Sequence, residues 1–219
     1  MRWRARLRKH SSDLSLVGVC LSILYQAATC HRKCHGGNHV LESLCGRTYN
    51  LAAAALELTF SGYYDEALNL TRSIGEISNL VSLSVVDKDA LKDWLTLDTK
   101  ARIRKFSPAA VRGMLEAKPD GKELMYADKD WYSHFCESYT HATPETRPNA
   151  HGSTAQVGGL YKDRGMGIAL CELTTVLAFV AIIVCRYFQF DDLSLELKEH
   201  LDSVRRPTPS FKRTAHGGH

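Results

Sequence analysis

MGIALCELTTVLAFVAIIVCRYFQF, residues Met166 to Phe190, is the stretch on which the fold turns. Its only charges are Glu172 and Arg186, and from Leu173 to Cys185 it runs through apolar residues and threonines without a break. The length approaches the roughly 20 residues that span a bilayer. A helix apolar on every side is equally what lies at the centre of a bundle. Glu172 favours the bundle, because an isolated carboxylate in hydrocarbon is costly, so a membrane is not the expected partner.

Working outward, the segments on either side are shorter and amphipathic. Leu193 to Val204 follows as a short helix, and Pro144 to Gly159 precedes it as a loop of two prolines, three glycines and small polar residues. Further back, a helix begins near Asp128 and runs from Trp131 through Thr140. Another is started by Ser107 and Pro108, a cap followed by a first-turn proline. A third covers Asp89 to Phe106 and ends in Lys100, Arg102, Arg104 and Lys105, where positive charge suits a helix C-terminus. His39 to Val86 reads as one long helical region with an irregularity at Ser61 and Gly62. Within it Ala67, Leu70, Ile74, Ile77 and Val81 recur at spacings of three and four, a stripe made for a partner helix. No stretch alternates as strands do. The expected fold is all-α, a bundle of about six or seven helices.

The N-terminal run Leu14 to Ala28, ahead of Cys30, has the outline of a secretory signal. A lipoprotein signal wants leucine three residues before its cysteine and a small residue just before it, whereas this chain has Ala27 and Thr29. Asp13 reads instead as the cap of a retained helix reaching Thr29.

The chain of 219 residues, 44% hydrophobic and 24% charged with a mean hydropathy of −0.22, has the composition of a globular protein and excludes collagen-like and wholly disordered chains. Its net charge of +4 is unevenly spread. Arg2, Arg4, Arg6, Arg8 and Lys9 at one end, and Arg205, Arg206, Lys212 and Arg213 at the other, sit in stretches free of acids, so the body between them is acidic. The organisation expected is a basic flexible tail over 1–12, a bundle over 13–204 and a second basic flexible tail over 205–219. Seven cysteines, an odd number, with Cys20, Cys171 and Cys185 inside apolar runs, point to reduced thiols and a cytoplasmic protein.

Three groups of residues could carry chemistry. Cys30, His31, Cys34, His35 and His39 offer metal-donor types, with Cys45 as an irregular fourth, but no second pair closes a zinc-finger pattern. They read as a polar loop, and no metal or cofactor is expected. His134, Glu137 and His141 stand at i, i+3 and i+7 on one helix face, where an imidazole beside a carboxylate can act as general base or acid. Arg72 and Glu76, four apart and opposite the apolar stripe, read as a solvated ion pair. If that side faces a groove, Arg72 could hold a phosphate.

Gly62, Tyr63, Tyr64, Asp65, Glu66 and Ala67, then Leu70, Arg72, Ser73 and Glu76, and later Tyr132 through Ser138 with His141, form a pattern. It resembles a bacterial all-helical family with an Arg-Ser-x-x-Glu helix and a later Ser-x-x-His helix, itself similar to the HEPN bundles. The resemblance spans about residues 40 to 185. It implies a helical bundle able to dimerise, in a class that includes metal-independent ribonucleases of stress and phage-defence systems. In such an enzyme His141 would move a proton at a ribose oxygen and Arg72 would stabilise phosphate charge. HEPN nucleases carry Arg followed four to six residues later by His on one helix. Here Arg4 and His10 have that spacing, but in the tail. The expectation is therefore a protein acting by interaction with another protein or by homodimerisation. RNA binding or cleavage through His134, Glu137, His141, Arg72 and Glu76 is the alternative, and a single membrane span a third.

Overall fold

The computed structural model of the protein describes residues 8–32, 34, 36–141 and 157–204. Among them are nine α-helices, one π turn and no strand. They are α1 (Ser11–Ala28), α2 (Val40–Phe60), α3 (Tyr64–Val86), α4 (Lys88–Thr96), α5 (Thr99–Lys105), α6 (Pro108–Glu116), α7 (Lys129–Phe135), the π turn (Cys136–Thr140), α8 (Asp163–Phe188) and α9 (Asp191–Ser203). The all-α expectation holds, with more helices than the periodicity separates. The stretches 1–7 and 205–219, and residues 142–156 of the Pro/Gly loop, lie outside the described residues. Ser11 and Ser12, placed at the end of the expected tail, are helical.

Four long helices make the core. α8 packs between α1 and α3, α2 lies diagonally across from it, and α9 closes over α1 and α8. Leu170, Leu173, Val176, Leu177, Val180 and Val184 of α8 are all fully enclosed. Both α1 and α8 are long and apolar enough to cross a membrane by composition, but 67% of α8's most apolar 18-residue window is buried within the protein, against 39% for α1. The apolar run is thus accounted for by packing. Glu172, the carboxylate inside it, accepts from the Trp131 indole N–H at 3.3 Å.

The direction of the helices follows from a few contacts. Lys9 pairs with Asp163, and the Tyr64 ring lies against Gly165, so α1, α3 and α8 all start at one end of the molecule. α2 runs opposite, as Gly46 near its start faces Ala28 at the end of α1. The irregularity expected at Ser61 and Gly62 is in fact a tight reversal. Gly62 takes φ +83°, and a Cβ there would stand 2.7 Å from the Leu160 nitrogen, so only glycine fits the corner. The stripe predicted on this region does face the core: Ala67, Ile74 and Val81 are buried, and Leu70 and Ile77 pack against them.

The segment predicted as one helix over 89–106 is two. The chain extends at Leu97 and Asp98, and the Asp98 carboxylate accepts from Ala101 N–H at 3.0 Å to begin α5. Ser107 and Pro108 start α6 as expected, with Ser107 Oγ accepting from Ala110 N–H. Asp13 does not cap α1; it lies in the first turn of a helix that begins after His10. Leu83, Ala90, Val111 and Leu115 form a second small apolar cluster that pins α4 and α6 to the far end of α3.

Candidate functional site

The residues that converge on α3 come from widely separated segments. Asn79, buried on α3, receives Ala127 N–H at 3.1 Å and donates to Ala127 carbonyl at 2.8 Å, fixing the strand of chain that leads into α7. Asp128 then caps α7 by accepting from Trp131 N–H. Gly75 leaves room for the Trp131 indole, which stacks on Phe135 at 4.1 Å between ring centroids. These contacts lay Tyr132 across the face of α3 that carries Arg72 and Glu76.

Arg72 Nη1 donates to Glu76 Oε1 at 2.7 Å, as the four-residue spacing predicts. The pair is not the solvated one expected. Side-chain exposure is 17% for Arg72 and 32% for Glu76, because α6 and α7 cover this side of α3. The Arg72 guanidinium stands 5.1 Å from the Tyr132 ring centroid, and that of Arg112, from α6, stands 4.8 Å from it. Two cations are thus gathered at one aromatic ring, an attractive arrangement for each alone and a repulsive one for the pair. Arg72 Nε and Arg112 Nη1 are buried without a hydrogen-bond partner among the described residues. Burial and the Glu76 charge, against the opposing pull of Arg72, push the Tyr132 hydroxyl up to about 12, so it remains a donor at neutral pH. Glu76, Arg112 and Tyr132, with Ile77, Leu80, Phe106, Pro108 and Val111, line a cavity of about 170 Å³.

The predicted face of His134, Glu137 and His141 is not built as expected. The α-helix stops at Phe135 and continues as a π turn, and His141 is already extended at φ −89°, ψ 146°. A spacing of seven therefore no longer marks one stripe. His134 lies 3.3 Å from Ser138 Oγ through Nδ1 and meets the Phe135 and Tyr139 rings edge-on. Glu137 and His141 are exposed. Thr140 Oγ1 donates to Asn69 Oδ1 at 2.9 Å, which places the end of the π turn one helical turn before Arg72 on α3.

The loop between α1 and α2 brings three of the metal-donor residues together. Donor atoms of Cys30, Cys34 and His39 all lie within 4.8 Å of one another. His31 is exposed, His35 lies outside the described residues, and Cys45 is buried in the core with its thiol pushed up to about 12 by burial and the Glu42 charge. All seven cysteines are free thiols.

Arg112 and Tyr132 are the site residues that sequence reasoning did not single out. Arg112 is one arginine on a short helix, and nothing local ties it to α3. The basic group ending α5 was the visible trace, since it leads directly into Phe106 of the cavity wall. The chain matches no protein-family model, no curated protein and no solved structure.

Proposed function

We propose that the protein is a binding module that takes a phosphate group of RNA in the cleft between α3, α6 and α7. The observation that carries this is the meeting of Arg72 and Arg112 at the Tyr132 ring, with two buried guanidinium N–H groups unmatched. An anion entering there would accept from both and relieve their repulsion, and a planar guanidinium fork suits phosphate oxygens. The apolar wall of Phe106, Pro108 and Val111 gives a ring room beside the charge. Exposed Arg104 at the end of α5 extends the positive field away from the cavity along a polyanion.

The reading is binding rather than cleavage. His134 is engaged with Ser138 on α7, two residues and more than half a turn from Tyr132, and His141 is displaced by the π turn from the face it was to share. The test is fluorescence anisotropy with a short single-stranded RNA at several salt concentrations, followed by electrophoresis of the same RNA. Arg112→Ala and Arg72→Ala are each expected to weaken binding by about tenfold or more and to flatten the salt dependence. His141→Ala is expected to bind as the parent does, and the RNA to remain intact. Undiminished binding in Arg112→Ala would overturn the assignment, and cleavage abolished by His141→Ala would replace it with a ribonuclease.

A second reading, association with a second copy or another protein, is favoured by an open apolar groove of about 400 Å³ on the flank of α8. Tyr126, Phe179, Ile182, Leu201 and Val204 line it. In either reading the free thiols suit a reducing, cytoplasmic setting.

A further inference from the structure

We propose that Cys30, Cys34, His39 and Glu42 form a structural site for a zinc-type divalent cation, closing the loop between α1 and α2. The residues arrive from three directions. Cys30 is the second residue beyond the end of α1, Cys34 lies in the loop, and His39 directly precedes α2, whose first turn carries Glu42. Cys30 Sγ is 3.6 Å from His39 Nδ1, and Cys34 Sγ is 4.0 Å from His39 Nε2. Ligands around a tetrahedral zinc, with Zn–S about 2.3 Å and Zn–N about 2.0 Å, stand roughly 3.5 to 3.8 Å apart. With one nitrogen chosen for the imidazole, the donor atoms of Cys30, Cys34 and His39 lie within 4.8 Å of one another, so closing to that spacing needs shifts of up to about 1 Å.

Glu42 is the independent observation. Its side chain is only 8% exposed, yet among the described residues no lysine or arginine pairs with it. Its recorded neighbour is the His39 ring, with Oε1 3.5 Å from Nδ1, too long for a hydrogen bond and close to the ligand-to-ligand spacing at a metal. A carboxylate this enclosed, beside the His39 imidazole and acting on the Cys30 thiol, is a costly arrangement until a cation joins it. Two thiolates, one neutral imidazole and a carboxylate make a borderline-soft set, which selects zinc over magnesium or calcium.

The backbone is set for the same purpose. Cys30 and His39 both hold left-handed φ, 51° and 50°, a conformation that non-glycine residues adopt at a cost and that lets the two ends of the loop face each other. Arg32 anchors the loop from outside, donating to both Asp192 oxygens at 2.6 and 2.7 Å and standing over the Phe190 ring. The bound cation would tie the end of α1 to the start of α2 at the end of the bundle where α8 terminates. On binding, the two thiols lose their protons to solvent and each forms one metal–sulfur bond, with no change in oxidation state.

The experiment uses the full chain without an affinity tag, reduced, treated with a chelator, and titrated with Co²⁺ and then Zn²⁺. Expected are one equivalent of Co²⁺, thiolate-to-cobalt charge-transfer absorption with the intense visible bands of tetrahedral cobalt, and displacement of both by Zn²⁺. Cys30→Ser and Cys34→Ser are expected to lose the charge-transfer band while keeping the parent's helical circular dichroism, and Glu42→Gln to weaken Zn²⁺ binding by at least about tenfold. His31→Ala should titrate as the parent does. Absence of the cobalt bands in the reduced parent chain would overturn the site without recourse to any variant. So would parental binding in both cysteine variants, or a Cys30–Cys34 disulfide that forms in air at the same rate with and without Zn²⁺.

Discussion

Gly75 is the residue at which α7 and α3 come closest. A Cβ there would stand 2.6 Å from two atoms of the Trp131 ring and 3.3 Å from Ala127 Cβ. Alanine is worth up to about 1 kcal/mol over glycine in a helix interior, but forcing an extra carbon into a filled site costs about 1–3 kcal/mol. The indole has little room to yield, being stacked on Phe135 and hydrogen-bonded to Glu172. Gly75→Ala is therefore expected to destabilise the protein by about 1 kcal/mol in urea unfolding. It should also red-shift the emission of Trp131 and weaken RNA binding, because Tyr132 rides on the same turn. A more stable variant with unchanged emission would show that the indole moves freely. Nothing in the local sequence marks this glycine, since its partner lies more than fifty residues away. The Arg72–Glu76 pair was readable because both partners sit on one helix. The Arg112 half of the cleft was not, because it depends on how α6 docks.

At the scale of the helix, starts divide into two kinds. α4, α5, α6 and α7, the short helices, each begin with an aspartate or serine whose side chain accepts from a backbone N–H two residues into the helix, whereas α1, α2, α3, α8 and α9 have no side-chain cap. Short helices bury little and lean on their caps, while long ones are held by their apolar faces. Asp87 makes the case testable. It caps α4 by accepting from Ala90 N–H at 3.1 Å and pairs with Lys118 at 2.8 Å, and the Lys118 hydrogen bond, helped by the cap, holds its carboxyl below the usual range. A carboxyl lowered on folding stabilises the protein above its unfolded value of about 3.9 and loses that contribution as pH falls through the lower folded value. Asp87→Ala should cost about 1 kcal/mol at neutral pH. Asp87→Asn, which keeps a capping oxygen, should cost less, and its difference from the parent in thermal unfolding should shrink as pH falls through the lowered folded value of Asp87. A difference that grew toward acid would contradict the ion pair. Caps of this kind are visible in a sequence, which is why the starts of α6 and α7 were placed nearly to the residue. The break at Leu97 was hidden because the basic run from Lys100 to Lys105 reads as the end of one continuous helix, and the π turn after Phe135 carries no sequence signature at all.

For the whole molecule, α8 is the axis, and its two flanks make different demands. Leu177 is fully enclosed among the core helices, whereas Ile182 lies half-buried on the open groove beside Phe179 and Leu201. The run from Leu173 to Cys185 announced in the sequence that one helix would be surrounded, because no other arrangement in water hides apolar groups on every side. Which neighbours surround it was not legible, since α1 and α3 meet it across more than seventy residues of intervening chain. Leu177→Ala should cost about 2–5 kcal/mol, the range for a leucine whose cavity cannot collapse. Ile182→Glu should leave the unfolding midpoint nearly unchanged and, if copies meet at the groove, turn a concentration-dependent dimer into a monomer in sedimentation velocity. The pair of variants separates three organisations of the same helix. In a bundle core, Leu177→Ala is severe and the chain stays in the supernatant without detergent. In a groove-mediated dimer, Ile182→Glu changes mass and Leu177→Ala still unfolds the protein. In a bilayer, the parent chain pellets with lipid and Leu177→Ala is mild, because a methyl-lined gap facing lipid tails is refilled by them. The 67% burial of α8's most apolar window within the protein places the expected outcome in the first two.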